Sequence, residues 1–280
     1  MIFGVLQKVK NTGSSDPFNA RLMFQIFELR DKMVKNDSER SEFDRLYTPV
    51  LESMEETQDS FLKCKELIIN HKKNVEDGSI IKFQGEIIEV SESINRELKS
   101  NFKDFFVKGN RAITLLIPLF KKYGVSINFL FKNDKDFKKG LTDFSDKHKG
   151  SKYSEFVKMV LNDRESWLSK FNKGRQKVER EGFTLPDIKY IKNTGGQVVC
   201  LIPKVDGLEI LDLLDMLWGN LFDFIEDCVV FLINFNLEKP WEIVVVPEDK
   251  RDVSMPVKYK IWLEGLSAFL ESEAKKKNEK

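Results

Sequence analysis

From Gly207 to about Asn236 the chain carries a long, heavily apolar segment that reads as a single helix. Its acidic residues, Asp212, Asp215, Asp223, Glu226 and Asp227, fall on one narrow stripe at 100° per residue. A helix apolar on most of its circumference has to be covered by other elements, and the rest of the sequence supplies mostly helices to do it. The expected fold class is therefore mainly α: a helical bundle with a small β-hairpin or short strands in the C-terminal third.

The helical periods are readable along the chain. Asp16-Pro17 marks a start, and Leu22, Ile26, Leu29 and Met33 form a stripe to about Lys35. A second start at Asn36–Ser38 opens a helix to about Lys73, and Asp77-Gly78 breaks it. A helical region is expected from Ser79 to Tyr123, kinked or ended by Pro118 and capped by Gly124. Val125–Phe131 reads as a strand or a buried connector. Asp134–Lys147 and Ser151–Glu181 read as helices. Asn193-Thr-Gly-Gly196 between two β-branched runs predicts a hairpin near 187–203, and Ile243–Val246 and Tyr259–Trp262 are further strand candidates. The expected organisation is an N-terminal helical hairpin over 1–78, a helical body over 79–272 and a disordered tail over 273–280.

Composition narrows the functional classes. The 280 residues include 23 phenylalanines, which points to core rather than surface. With 46 basic and 45 acidic residues, the chain is not a strongly basic nucleic-acid binder as a whole. Cys64, Cys200 and Cys228 are scattered and contain no Cys-x-x-Cys, so neither a disulfide framework nor a zinc ribbon is expected. Residues 1–6 show no signal peptide, and the longest apolar runs, near Ile113–Phe120 and Cys228–Ile233, are too short to span a bilayer. A cytoplasmic location, with no membrane association, follows as an expectation.

Charge is nonetheless uneven. Residues 121–180 carry 16 basic and 8 acidic groups, and residues 181–280 carry 12 and 18. The two regions can pair with each other. Alternatively, the basic one can bind RNA, with Phe129, Phe131, Phe137 and Phe144 as stacking candidates. Within the Ser151–Glu181 helix, Val157, Leu161, Arg164, Leu168, Phe171, Arg175, Val178 and Gly182 define one stripe. It places two arginines in an apolar seam, where each needs carboxylate or carbonyl partners.

The segment that contains Trp167-Leu-Ser-Lys-Phe-Asn-Lys-Gly-Arg175-Gln-Lys-Val-Glu-Arg180-Glu-Gly-Phe183 resembles the HEPN superfamily of helical bundles. That superfamily has an Arg, often followed by Asn, then four to six residues to a His on one helix. Members with the intact pair commonly cut RNA in toxin–antitoxin or phage-defence systems, and others keep only the bundle and act as binding partners. The resemblance covers about 20 residues closely and 80–236 in helical character. By position, Arg175 stands for the family arginine, Gln176 replaces the Asn, and Arg180 occupies the place of the His. Arginine does not shuttle protons at neutral pH, and Glu179 is either a substitute or the salt-bridge partner of Arg175.

The expected function is thus a non-catalytic binding or interaction protein of HEPN-like type, working through a protein partner or as a homodimer. The alternative is an RNA-binding or RNA-cleaving protein of the defence or toxin type. Arg175, Glu179 and Arg180 are the catalytic candidates. Lys135, Lys138, Lys139, Lys173 and Lys177 are the nucleic-acid-binding candidates, and the second reading expects Lys138 and Lys139 beside Arg175. His71 and His148, flanked by lysines, read as surface residues. No cofactor is implied. No Glu-x-x-His accompanies the acidic stripe, so no metal is expected. A third possibility is a small-molecule or peptide pocket between the hairpin and the 207–236 helix, lined by Trp218 and Trp241.

Overall fold

The computed structural model describes residues 13–84, 87–263 and 265. The expected tail over 273–280 and the leader reading over 1–6 lie outside the described residues. The fold is mainly α with small antiparallel hairpins. Among the described residues no helix is long and apolar enough to cross a membrane.

Asp16 opens the first helix through its Oδ1, which accepts from the backbone N–H of Phe18 (2.9 Å) and of Asn19 (3.3 Å). The helix begins as a π-helical stretch, Phe18–Gln25, and continues as α1, Ile26–Met33. The predicted stripe Leu22, Ile26, Leu29 and Met33 is buried. Asn36 and Glu39 then form a reciprocal cap: Asn36 Oδ1 accepts from Glu39 N, and Glu39 Oε2 accepts from Lys35 N. This cap starts α2, Asp37–Glu76, which ends at Gly78 with φ +76°.

The next stretch departs from expectation. Residues 81–84 and 87–90 are not helical but pair as antiparallel strands, β1 (Ile81–Gln84) with β2 (Ile87–Val90). Ile81, Phe83, Ile88 and Val90 share one face of the pair, a period of two embedded in a sequence that reads as helix at longer range. Helix α3, Asn95–Lys122, follows and runs through Pro118 without ending. Gly124 (φ +75°) closes it, with Val125 N–H donating to Phe120 O at 3.1 Å. The segment after it is a buried connector with one 3-10 turn, Asn128–Phe131.

Helix α4 (Asp134–Lys147) is capped by Asn133, and α5 (Ser151–Asp163) passes through a π-turn, Arg164–Leu168, into α6 (Ser169–Arg180). That π-turn corrects the predicted stripe. Its wider turn shifts the inward face by one residue, so Phe156 and Val160 are buried before it, Trp167 and Leu168 within it, and Phe171 and Val178 after it. Leu161 consequently faces solvent.

Helices α3 and α6 interlock through a glycine on each. A Cβ on Gly109 would meet the Phe171 ring at 2.8 Å, and one on Gly174 would meet the Phe106 ring at 2.5 Å. Each glycine is therefore the socket for a phenylalanine of the other helix.

The predicted hairpin is present as β3 (Lys189–Lys192) with β4 (Val198–Leu201). A tighter one, β5 (Lys204–Val205) with β6 (Leu208–Glu209), turns on Asp206-Gly207, both at positive φ. The long apolar helix α7 therefore starts at Ile210, three residues later than expected, and runs to Asn236. Its neighbours include α1, α2, α3 and α5. The last pair, β7 (Trp241–Val245) with β8 (Tyr259–Leu263), joins the two late strand candidates. A single hydrophobic core takes in residues on both sides of Gly78, from Phe43 and Tyr47 to Phe120 and Leu221.

Candidate functional site

The two arginines in the apolar seam find different partners. The Arg164 guanidinium donates to the carbonyls of Lys132 (3.0 Å) and Leu130 (3.4 Å) and to Asp134 Oδ1 (2.9 Å), above the Phe137 ring. It ties the 3-10 connector to the π-turn, and its hydrogen bond holds the Asp134 carboxyl below its ordinary pKa. Arg175 is half-buried and pairs with Glu179 one turn on. Gln176 donates to Glu181 Oε1 at 3.0 Å, and Arg180 is exposed at the helix end. Arg175 is therefore engaged within its own helix.

The five candidate lysines are divided. Lys135, Lys138 and Lys139 are exposed on α4, and Lys173 is exposed on α6. Lys138 and Lys173 both act electrostatically on Asp134. Lys139 lines a 330 Å³ groove with Lys132, Lys147 and His148, in which Asp136 and Asp143 also sit. Lys177 turns elsewhere, to Asp206 at 3.4 Å in the β5–β6 turn. The stacking candidates are corrected by burial. Phe129, Phe137 and Phe144 are core residues, with Phe129 edge to face against each of the other two. Phe131 is partly buried against the same core.

His71 departs from its expected surface position, whereas His148 is partly buried at the edge of the α4 groove. His71 is 2% exposed, and its Nε2 lies 2.7 Å from the Tyr190 hydroxyl. Burial pushes its pKa down. Its lysine neighbours in sequence misled because α2 turns the position toward the β3–β4 hairpin. His148 stacks on Tyr153 and packs against Phe144, and burial lowers its pKa too. The two tryptophans are separated rather than shared by one pocket. Trp218 stacks on Phe61, and Trp241 lies beneath Lys32 Nζ.

The acidic stripe of α7 organises a polar centre that the sequence reading did not assemble. Glu226 is fully buried and accepts from Arg21 Nε at 3.0 Å and Gln25 Nε2 at 2.7 Å. Arg21 also holds Asp223. Gln25 Oε1 accepts from the backbone N–H groups of Lys258 and Tyr259, each at 2.6 Å. Asp227 Oδ1 accepts from Lys258 Nζ and from the Tyr259 hydroxyl, each at 2.7 Å. Burial raises the Glu226 pKa against the opposing pull of Arg21. Burial also works against the Arg21 charge, but Glu226 and Asp223 outweigh it and raise the Arg21 pKa. Asp163, nearby and hydrogen-bonded to Trp167 Nε1, is raised by burial.

This network fastens the first helix, α7 and β8 to one another. Its partners come from residues 21, 25, 258 and 259, not from the basic 121–180 region that the charge pattern suggested. Among the described residues no group of His, Cys, Asp or Glu side chains is placed to hold a metal ion.

One further surface stands out. In β3–β4 the inward positions are anchored: Val198 is buried, and Tyr190 reaches His71. The outward face presents Ile191 opposite Val199, with Leu201 beside them, at 46%, 36% and 44% exposure. No protein-family model matches this sequence, and no curated protein or solved structure shows a significant match to it.

Proposed function

We propose that this chain is a non-catalytic binding protein of the helical-bundle type, and that it associates with a second copy of itself through the outward face of β3–β4. The observation that carries this reading is the exposed triplet Ile191, Val199 and Leu201 on a hairpin whose other face is anchored to α2. Apolar side chains grouped on an ordered element lose unfavourable hydration when covered. A two-fold axis brings the same patch onto itself, the commonest arrangement in oligomers.

The HEPN-like resemblance supports binding over cleavage. At its key positions Arg175 is paired with Glu179, and an arginine stands where a proton-shuttling imidazole belongs. Sedimentation velocity over a wide concentration range tests the proposal. Average mass should rise toward a dimer and return to monomer in the Ile191→Lys, Val199→Lys double variant, with its circular dichroism unchanged. A wild-type monomer at every concentration would remove this reading.

A second reading, RNA binding, is favoured by the exposed Lys135, Lys138, Lys139 and Lys173 and by the lysine-lined groove of α4. With the phenylalanines in the core, recognition would rest on phosphate contacts and would be sequence-independent and steeply salt-dependent. Fluorescence anisotropy with single-stranded RNA checks it. Binding should fall with salt and with Lys138→Glu, Lys139→Glu. No binding at low salt rejects it.

A further inference from the structure

A cavity of about 120 Å³ lies between α3, α6, the β5–β6 turn and the start of α7. Its walls are apolar, formed by Phe102, Phe106, Val178, Phe183, Leu213 and Leu217. Phe102 and Phe183 are 6.5 Å apart and tilted, and Phe102 and Phe106 meet edge to face, so one wall is aromatic and the rest aliphatic. The charged groups that line it are Lys170, Lys177 and Asp206. Lys177 and Asp206 pair at 3.4 Å, which leaves Lys170 without an ion-pair partner among the described residues.

We propose that this cavity binds a small apolar carboxylate, with one aromatic ring or a short acyl chain inside and its carboxylate at Lys170. Three observations select that class. An apolar cavity of about 150 Å³ accepts a benzene-sized molecule, so the volume here suits a single ring or a short chain. The walls are mainly apolar side chains, with charge confined to Lys170, Lys177 and Asp206, so a ligand with a polar body would find little compensation for its lost hydration. The rim holds two cations against one carboxylate, which favours an anionic head group outside the apolar space.

The packing of the bundle holds the cavity open. Phe106 is seated on Gly174, where a Cβ would meet its ring at 2.5 Å, so that ring cannot be displaced into the empty volume from this side without losing its socket.

The test uses the full chain, with phenylacetate, hexanoate and neutral toluene as probes, followed by saturation-transfer NMR and thermal shift. Phenylacetate should bind, and Met216→Trp, which fills the cavity from α7, should weaken it at least about tenfold. Leu208→Trp, at a partly exposed rim position, serves as a second filling variant if the first does not fold. Lys170→Met should weaken phenylacetate roughly two- to fivefold and leave toluene unchanged. The proposal is overturned if phenylacetate shows no binding at about 10 mM, or if its binding survives the filling variants. Equal affinity for toluene and phenylacetate, indifferent to Lys170, would overturn the carboxylate assignment.

Discussion

Two charged regions of this protein, similar in residue type, have opposite fates. Around Glu226 the charges are buried and matched: Arg21, Gln25, Lys258 and Tyr259 meet Glu226 and Asp227 at hydrogen-bonding distance. On α4 and α6, Lys135, Lys138, Lys139 and Lys173 stand in solvent, and Lys138 and Lys173 act on Asp134 through their charge. A buried carboxylate needs partners close by, because water is not there to solvate it. An exposed lysine is solvated already and gains little from any one neighbour. The buried cluster is therefore a device of architecture, whereas the exposed lysines owe their stability to water.

That contrast can be broken most severely at Arg21. Replacing it by Met leaves the buried Glu226 without its closest cation, with Gln25 and the more distant Lys258 as its remaining partners, and should cost about 3 kcal/mol in denaturant unfolding. The paired change Arg21→Met with Glu226→Leu should recover most of the loss. Lys138→Ala, Lys139→Ala should stay within about 0.5 kcal/mol of wild type. Equal losses in the two regions would erase the distinction.

The next effect belongs to the glycine sockets. Gly174→Ala drives a methyl group into the Phe106 ring and should destabilise by about 1–3 kcal/mol, read by thermal and denaturant melts. No change there would mean that α3 and α6 can separate freely.

A pH titration sharpens the comparison from a third side. Burial holds the His71 pKa below its ordinary value of 6.5, so the unfolded chain takes up a proton that the folded chain refuses. Stability from this source is complete above about pH 6.5 and declines as the pH falls through it. His71→Gln should flatten the decline while leaving the contribution of His148, which is lowered in the same sense. Chemical denaturation at about pH 7.5 and about pH 5.5 measures the difference. An identical decline in the variant would remove His71 as its source.

The smallest effect is expected at Arg175. Its partner is one turn away on a half-exposed face, so Arg175→Ala should cost only about 0.3–0.5 kcal/mol. A much larger loss would mean that this arginine holds more than its own helix.

Much of the secondary structure was legible because local chemistry dictates it. Asp16 and Asn36 cap helices where their side chains predict, Gly124 closes α3, and Asn193-Thr-Gly-Gly196 turns a hairpin. The β1–β2 hairpin was not legible, since four-residue strands are too short for their alternation to stand out within a helical window. The candidate site was legible only in part. Arg164 and Arg175 meet the oxygen partners that a seam position requires, and of its two readings Glu179 takes that of salt-bridge partner to Arg175. Arg21, Gln25, Lys258 and Tyr259 were not found, although Arg21 falls one residue before the buried stripe position Leu22.

The sequence by itself determined the helices, their caps and the apolar surface that makes α7 the centre of the packing. These depend on neighbours within a few residues, which the chain order specifies directly. Only the tertiary structure decided which charges are buried together, because Arg21 and Glu226 lie 205 positions apart. It also decided that the phenylalanines of α4 face inward, and that a one-residue shift at the Arg164–Leu168 π-turn selects which side of that long helix meets the core.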